Sequence, residues 1–386
     1  MPRSRRGRGY RGPGVTLASA ALLLLDFGVG VATPRYALRV GQSCILCHQD
    51  PSGGGQRSAY ATAYLVPERL ARPRPEGAPR VNPQITPEVL LGADLRTFWL
   101  DREDRDDHNN FVQMQGSVYL SLQPDPRLLG YVHEEFGQGA ASAPEVFALA
   151  WLAPGQIWAK AGRFVPAFGW RPADHRTFTR TSFVIFPENP PQSDTGLELG
   201  ARRGPFELQL SMTNGEFASP FELNDELAFW ARGAALRSLG PVNAAAGASY
   251  AQHRGTGLHR WTGGPFAGAA YGRLAWWGEL DWTHTVRPDP AGGPPLDVRT
   301  GITASHELAV RLVQGVDLVA TWDFHDPDVR TASGAGRRVG LGIDALLWPF
   351  LEVRAKDNRF TRDPGPDAPA LPDGVNQAEL EIHFLY

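Results

Sequence analysis

A regular alternation of apolar and polar residues is the sequence feature that most constrains how this chain folds. In its last stretch, "NQAELEIHFLY", every second residue from Ala378 to Tyr386 is apolar, and the residues between them are mostly polar. The stretches "ELQLSM" and "DLVATWDFHD" alternate in the same way. Successive side chains of a strand point to opposite faces, so a period of two predicts strands with one apolar and one polar face. Long helical periodicity is absent, and the 43 glycines and 33 prolines supply many turn signals, so we predict an all-β fold.

The segments between the predicted strands alternate between short and long, which favours a transmembrane barrel over a soluble β-sandwich. Tight turns such as "RRGPF", "LGPVN" and "VQGV" are separated by long polar loops such as "DREDRDDHNN" and "RPDPAGGPPLD". Outer-membrane barrels have short turns at one end, long loops at the other and aromatic girdles at both interfaces. Aromatic residues near predicted strand ends match such girdles: Trp99, Trp158, Trp170, Trp282, Trp348 and Tyr386. The pattern predicts a transmembrane antiparallel β-barrel of about sixteen strands over residues 89–386.

The residues before the barrel predict export and a lumen segment. A basic start, "MPRSRRGRGYRG", is followed by an apolar run that ends in small residues, which predicts a secretory signal peptide over residues 1–32. Residues 33–88 are rich in Arg and Pro and contain no convincing strand. Because this polar segment has no core of its own, we expect it to plug the barrel from the periplasmic side rather than fold independently.

The only two cysteines of the chain lie in this segment, in "SCILCHQDPSGGG". Cys44, Cys47 and His48 form a C-x-x-C-H motif, the attachment signature of c-type haem. The thiols form thioethers to the haem, and the histidine becomes the proximal ligand of the iron. A zinc site would want a second pair of ligands, and no other cysteine exists. The sequence therefore predicts one covalently attached haem c, while a disulfide or a chance match remains the alternative.

The distal haem ligand must come from outside the haem segment. Between His48 and His108 there is no histidine or methionine, and Met114 and Met212 share a phase with apolar residues, which predicts that both face lipid. His383 falls on the lumen-facing phase near the periplasmic end of the last strand, so it is the first candidate distal ligand.

Other histidines are weaker candidates. His175 is second, because it lies in the third long loop, which we expect to fold into the pore. His133 is also possible, and His325 is predicted to face the lumen, whereas His284 and His306 share a phase with apolar residues. For each of them, a lumen or interface histidine without a metal is the alternative.

Two charged loops are further candidates for functional roles. The acidic loop "DREDRDDHNN" could gather divalent cations through its carboxylates, or it is simply solvated. Arg171, Arg176 and Arg180 would make a basic constriction if the third long loop enters the pore.

A secretory signal, a single C-x-x-C-H in a short N-terminal segment and a barrel of about sixteen strands together resemble the fused monohaem cytochrome–porins of the bacterial outer membrane. The best-known members of that family are iron-oxidising outer-membrane cytochromes. The resemblance implies haem attachment at Cys44 and Cys47 and proximal ligation by His48. It also implies an electron-transfer oxidoreductase, with periplasmic c-type cytochromes and an extracellular metal ion or redox partner at its two ends.

Three functional hypotheses follow. The first is electron transfer at the outer membrane between periplasmic carriers and an extracellular donor or acceptor such as iron. The alternative is a diffusion porin whose haem-bearing segment serves as plug, gate or sensor. A third is a scaffold barrel around a separate multihaem cytochrome. The net charge of −3 gives no indication of nucleic-acid binding.

Overall fold

The computed structural model describes residues 34–75, 77, 82–104, 109–136, 144–172, 174, 176–181, 193–215, 225–255, 258–289, 291–365 and 371–386. The predicted signal peptide and His175 lie outside the described residues. No helix in the described ranges is long and apolar enough to cross a membrane.

The described residues form seventeen β-strands and three short helices. The strands are β1 (Gln84–Thr86), β2 (Val89–Arg102), β3 (Asn109–Asp125), β4 (Leu128–Glu135), β5 (Glu145–Ala153), β6 (Ile157–Phe164), β7 (Asp194–Arg203), β8 (Phe206–Thr213), β9 (Ala228–Leu239), β10 (Val242–Gly255), β11 (Leu258–Tyr271), β12 (Leu274–Arg287), β13 (Asp297–Val313), β14 (Val316–Asp326), β15 (Gly336–Trp348), β16 (Leu351–Arg362) and β17 (Val375–Leu385). The helices are α1 (Pro34–Val40), α2 (Cys44–Cys47) and α3 (Ala61–Leu70), and α3 is a π-helix that contains Pro67. A single 3₁₀ turn spans Phe178–Arg180.

Strands β2 to β17 close into an antiparallel barrel of sixteen strands. Each strand pairs with its neighbours in sequence, and β17 closes the ring by pairing with β2, where His383 lies opposite Arg96. The short β1 adds only an outer pairing to β2. The predicted all-β antiparallel barrel of about sixteen strands is confirmed.

The alternation of β17 becomes an apolar outer face and a polar lumen face. Leu380, Ile382 and Phe384 are 38%, 42% and 47% exposed, whereas Glu381 and His383 are 5% and 2% exposed. An apolar band outside and polar side chains inside are the arrangement of a barrel that spans a bilayer. The same phase holds in β14, where Leu318 and Trp322 are exposed while Asp317 and Asp323 are buried.

Two tryptophans assigned to the aromatic girdles lie inside the barrel instead. Trp158 is fully buried and donates its indole N–H to Glu198 at 3.1 Å. Trp170 is also buried, in a loop that enters the lumen, and donates its backbone N–H to Glu279. The prediction was wrong for both, because nearness to a strand end does not say which face of the barrel a residue occupies. Trp282 lies on the exposed outer face as predicted.

The tight turns lie together at one end of the barrel. They depend on glycines with positive φ, such as Gly204 at 58° and Gly240 at 61°. This backbone conformation strains other residue types, so two-residue turns of this kind favour glycine. The longer connections leave the barrel at the opposite end, for example where β6 ends at Phe164 and β7 begins at Asp194.

Residues 34–72, which we call the lumen segment, pack inside the barrel near the short-turn end. Leu38 of α1 is fully buried in a cluster with Phe266 and Trp277 of the barrel wall. Val66 of α3 is buried in a second cluster that contains Cys47 and a wall residue, Leu346. The segment therefore has apolar anchors on both sides of α2.

Ion pairs hold the lumen segment as well. The Arg35 guanidinium lies 2.6 Å from Asp344, and the ammonium of Lys160 on β6 lies 3.0 Å from Asp50 and 3.2 Å from Glu198. All of these side chains belong to the polar lumen face or to the segment itself. The segment is therefore bound by the polar face of the barrel.

The third long loop also folds into the lumen, as expected. We call its described residues 165–172, 174 and 176–181 the inward loop. Its Arg180 binds Glu279 at 2.5 Å, its Arg176 binds Glu379 at 2.5 Å, and the backbone N–H of Phe178 donates to Asp323. Because Arg176 and Arg180 are each paired with a carboxylate, they do not form the bare basic constriction that their sequence suggests.

Candidate functional site

Helix α2 brings the three residues of the C-x-x-C-H motif together. It is a single turn in which the backbone N–H of His48 donates to the Cys44 carbonyl at 2.7 Å. Both cysteines are unpaired and buried, and they are 7% and 6% exposed. The side chains of Cys44, Cys47 and His48 line one cavity. A single turn of helix is thus sufficient to aim both thiols and the imidazole at a common space.

This cavity lies between the lumen segment and the inward loop. It contains about 1940 Å³ of unfilled space, part of which is open to solvent. The inward loop contributes residues 165–172 apart from Ala167, and the wall strands contribute Asp94, His133, Glu352 and His383. The motif therefore faces the interior of the barrel and not its rim.

His48 is in the state that a metal ligand requires. Burial lowers the pKa of its imidazole to about 4, and the neighbouring charge of Arg57 acts in the same direction. The ring is neutral at neutral pH, so a nitrogen lone pair is available for coordination. Its Nδ1 is buried without a hydrogen-bond partner among the described residues. An orphaned buried nitrogen is uncommon in folded proteins and fits a residue that is completed by another group.

Burial affects the two thiols as well. It raises the pKa of Cys47 to about 11 and raises that of Cys44 further. Burial therefore favours the protonated form of both thiols in the protein without a bound group. The described residues contain no group of three or more His, Cys, Asp or Glu side chains arranged to hold a metal ion.

Three consecutive glycines line the cavity beside the motif. Gly53, Gly54 and Gly55 have φ angles of 83°, 78° and 60°. A side chain on Gly55 would collide with the Tyr131 hydroxyl of the wall. The glycines therefore let the backbone pass close to the wall and leave the cavity free of side chains at this edge.

His383, the first candidate distal ligand, does line the cavity. It is 2% exposed, and its Nε2 lies 2.7 Å from Asp94 while its Nδ1 lies 3.4 Å from Glu352. Arg96 also donates to Nε2. Since both ring nitrogens are engaged, ligation of an iron by His383 requires that one of these contacts opens. These contacts of His383 with Asp94 and Glu352 were not predicted from the sequence.

His133 lines the same cavity from β4. Its ring stacks on Tyr119 with centroids 4.5 Å apart, and its Nε2 lies 3.0 Å from Glu135. His325 faces the lumen as predicted, but it is bonded to Thr303 and does not line this cavity. Of the histidine candidates that the structure describes, His383 and His133 are the two at the site.

The outward histidines and one methionine follow the predicted phase. His284 and His306 stack on Trp261 and Trp276. Met212 is 39% exposed on the outer face.

Met114 does not follow the predicted phase. It occupies a bulge in β3, between the residues that pair with Arg96 and Thr97, and is 8% exposed. A bulge adds one residue to a strand and shifts the phase of alternation, so the prediction that Met114 faces lipid was wrong.

Comparisons with known proteins identify the fold. No protein-family model matches the chain, and no curated protein matches it. Among solved structures, OmpT of Vibrio cholerae, an outer-membrane protein folded in vitro in its trimer form, superposes with a TM-score of 0.56 at 10% identity, covering 77% of this chain and 99% of that one. OmpT expressed in the outer membrane gives 0.56 at 12% identity, covering 77% and 97%. Salmonella typhi OmpF in complex with daunomycin gives 0.51 at 8% identity, covering 77% and 97%. The fold is that of outer-membrane β-barrel proteins such as these.

Proposed function

We propose that this protein is an outer-membrane barrel that carries one haem c on Cys44 and Cys47, with His48 as proximal ligand, and that it transfers electrons. The partners would be periplasmic carriers on one side and an extracellular donor or acceptor such as iron on the other. The observation that carries the proposal is the C-x-x-C-H turn aimed at a cavity inside a barrel of the outer-membrane type. The neutral imidazole of His48, with its unpartnered Nδ1, supports a ligand role.

Residues of the lumen segment and of the barrel would hold the haem inside the barrel, between the two sides of the membrane. When bound, the haem supplies a one-electron iron couple. The lumen segment keeps the cysteines near the short-turn end, which faces the periplasm in barrels of this type. The inward loop covers the cavity from the long-loop side, and Arg171 ties it to the lumen segment through the Gly53 carbonyl. His383 is the first candidate for the second axial ligand and His133 the next.

A second candidate function is a diffusion porin whose haem-bearing segment acts as plug, gate or sensor. The fold comparisons favour it, because the matching structures are porin barrels, and a barrel of sixteen strands without a plug is an aqueous channel. The anchored lumen segment argues for a closed barrel instead, through the pairs of Arg35 with Asp344 and of Lys160 with Asp50. It also occupies space that a separate multihaem cytochrome would need, which argues against the scaffold hypothesis.

The test begins with outer-membrane fractions of wild type and of Cys44→Ala. We expect a haem-stained band of this protein and a c-type reduced-minus-oxidised spectrum in wild type, both diminished in the variant. A protein that reaches the membrane without haem would remove the electron-transfer proposal and leave a porin.

Proteoliposomes separate the two candidates. With the holoprotein, an electron conduit reduces an encapsulated ferric chelate when dithionite is added outside, without admitting small sugars. A diffusion porin instead admits sugars, detected by swelling. Failure of ferrous and ferric chelates to exchange electrons with the haem would exclude iron as the extracellular partner.

A further inference from the structure

Arginines are the dominant cationic residues around the cavity, and they fall into two classes. Six line it: Arg57, Arg96, Arg171, Arg180, Arg232 and Arg354. Four have a carboxylate partner: Arg96 with Asp94 at 3.4 Å, Arg180 with Glu279 at 2.5 Å, Arg232 with Glu207 at 3.0 Å and Arg354 with Glu352 at 2.6 Å. No carboxylate of the described residues lies within 4.0 Å of either Arg57 or Arg171. Two cations thus face the cavity without a direct counter-charge.

The hydrogen bonds of these two arginines go to backbone carbonyls. Arg57 donates through Nη1 to the Pro349 carbonyl at 2.5 Å. Arg171 donates to the carbonyls of Gly53 and Val165, the latter at 2.7 Å. A neutral carbonyl orients a guanidinium but does not balance its charge.

Both arginines lie close to the proximal-ligand residue. Arg57 forms an isolated antiparallel bridge with His48, and the charges of Arg57 and Arg171 both act on the His48 ring. Arg57 belongs to the lumen segment, whereas Arg171 belongs to the inward loop. A dianionic ligand in the cavity would therefore be bound by both elements at once.

We propose that Arg57 and Arg171 are the counter-ions of the two propionate carboxylates of a haem attached at Cys44 and Cys47. A planar guanidinium matches a carboxylate geometrically and binds it with charge-assisted hydrogen bonds. The two cations without carboxylate partners match the two anions of the haem in number and sign. This inference rests on the proposed function. It adds that the propionates fix the haem by tying the lumen segment to the inward loop, which makes both arginines positioning residues.

The experiment compares Arg57→Gln and Arg171→Gln with their charge-preserving variants, Arg57→Lys and Arg171→Lys. Arg203→Gln, which removes an exposed arginine at the end of β7, is the matched control. The readouts are the haem midpoint potential and redox-induced infrared difference spectra of protein whose haem propionates carry ¹³C at the carboxylates. Loss of a cation beside the haem stabilises the ferric state, so each Gln variant should have a lower midpoint potential and altered carboxylate bands. The Lys variants should restore most of the potential, and the control should match wild type.

The outcomes separate this inference from the proposed function. If wild type carries no haem, the proposed function fails and the inference fails with it. If wild type carries haem but both Gln variants keep its potential and its carboxylate bands, the inference is overturned and the proposed function stands. If a Gln variant fails to assemble, the infrared spectrum of wild type tests the inference by itself. Labelled propionates that show the bands of free, water-exposed carboxylates would also overturn the inference.

Discussion

The Lys160 ammonium lies 3.0 Å from the Asp50 carboxylate, inside the barrel and out of contact with solvent. Lys160 belongs to β6, whereas Asp50 belongs to the lumen segment, two residues after the last residue of the C-x-x-C-H motif. Glu198 of β7 completes the group at 3.2 Å, and Ser52 accepts a further hydrogen bond from Lys160. This buried group fixes the lumen segment to the wall next to the C-x-x-C-H motif.

Replacing Lys160 with Met should loosen the lumen segment. Removal of one partner leaves Asp50 and Glu198 as buried anions, which costs roughly 3–5 kcal/mol in comparable cases. We expect faster protease cleavage within residues 34–72 and a larger single-channel conductance in planar bilayers. The control is Arg203→Met, which replaces an exposed arginine at the end of β7. Unchanged proteolysis and conductance would show that the apolar anchors alone hold the segment.

The packing of the lumen segment should depend on pH through His48 in protein without haem. Its pKa is about 4 in the fold, below the ordinary value of about 6.5, so the unfolded state binds more protons between these values. Stability is therefore fully present above pH 6.5 and falls as the pH drops towards 4, by about 3 kcal/mol in total.

This dependence can be measured by hydrogen exchange of the lumen segment in the double variant Cys44→Ala, Cys47→Ala. Adding His48→Phe should flatten the pH profile over that range. A profile that stays as steep without His48 would assign the effect to other groups.

Histidine substitutions should identify the distal ligand in the holoprotein. We expect His383→Ala to convert low-spin haem to high-spin haem, visible in the absorption and electron paramagnetic resonance spectra, because the iron loses its sixth ligand. His133→Ala tests the other histidine at the cavity. His325→Ala is the control, since His325 faces the lumen but lies outside the cavity lining. Low-spin spectra in both the His383 and the His133 variants would place the ligand elsewhere.

Breaking the pair between Arg180 and Glu279 should release the inward loop. Both oxygens of Glu279 accept hydrogen bonds from Arg180, at 2.6 and 2.5 Å, and both side chains are buried. Arg180→Gln leaves Glu279 as a buried anion without its partner, so we expect faster reduction of the haem by dithionite from the long-loop side.

Arg330→Gln is the matched control, because Arg330 forms its ion pair with Asp328 in an exposed loop. Equal reduction rates in all three proteins would show that the inward loop does not limit access to the cavity.

Local patterns in the sequence predict the barrel and the motif but not the contacts that define the site. The alternation of β17 depends on the strand's own period, and the C-x-x-C-H lies within one helical turn, so both can be recognised without knowing the fold. The bulge at Met114 cannot be predicted from such patterns, because the pairing of β3 with β2 determines where an extra residue is accommodated.

The sequence by itself determined an all-β barrel of about sixteen strands, its apolar and polar faces, and a C-x-x-C-H segment ahead of it. Only the tertiary structure decided that Trp170 points inward, that His383 is held by Asp94, and that Arg57 and Arg171 lack carboxylate partners. The physical reason is distance along the chain. Faces and turns follow from interactions between near neighbours. The contacts that hold the lumen segment join distant residues instead, such as Arg35 with Asp344 and Lys160 with Asp50, which are 309 and 110 positions apart and meet only after the barrel has closed.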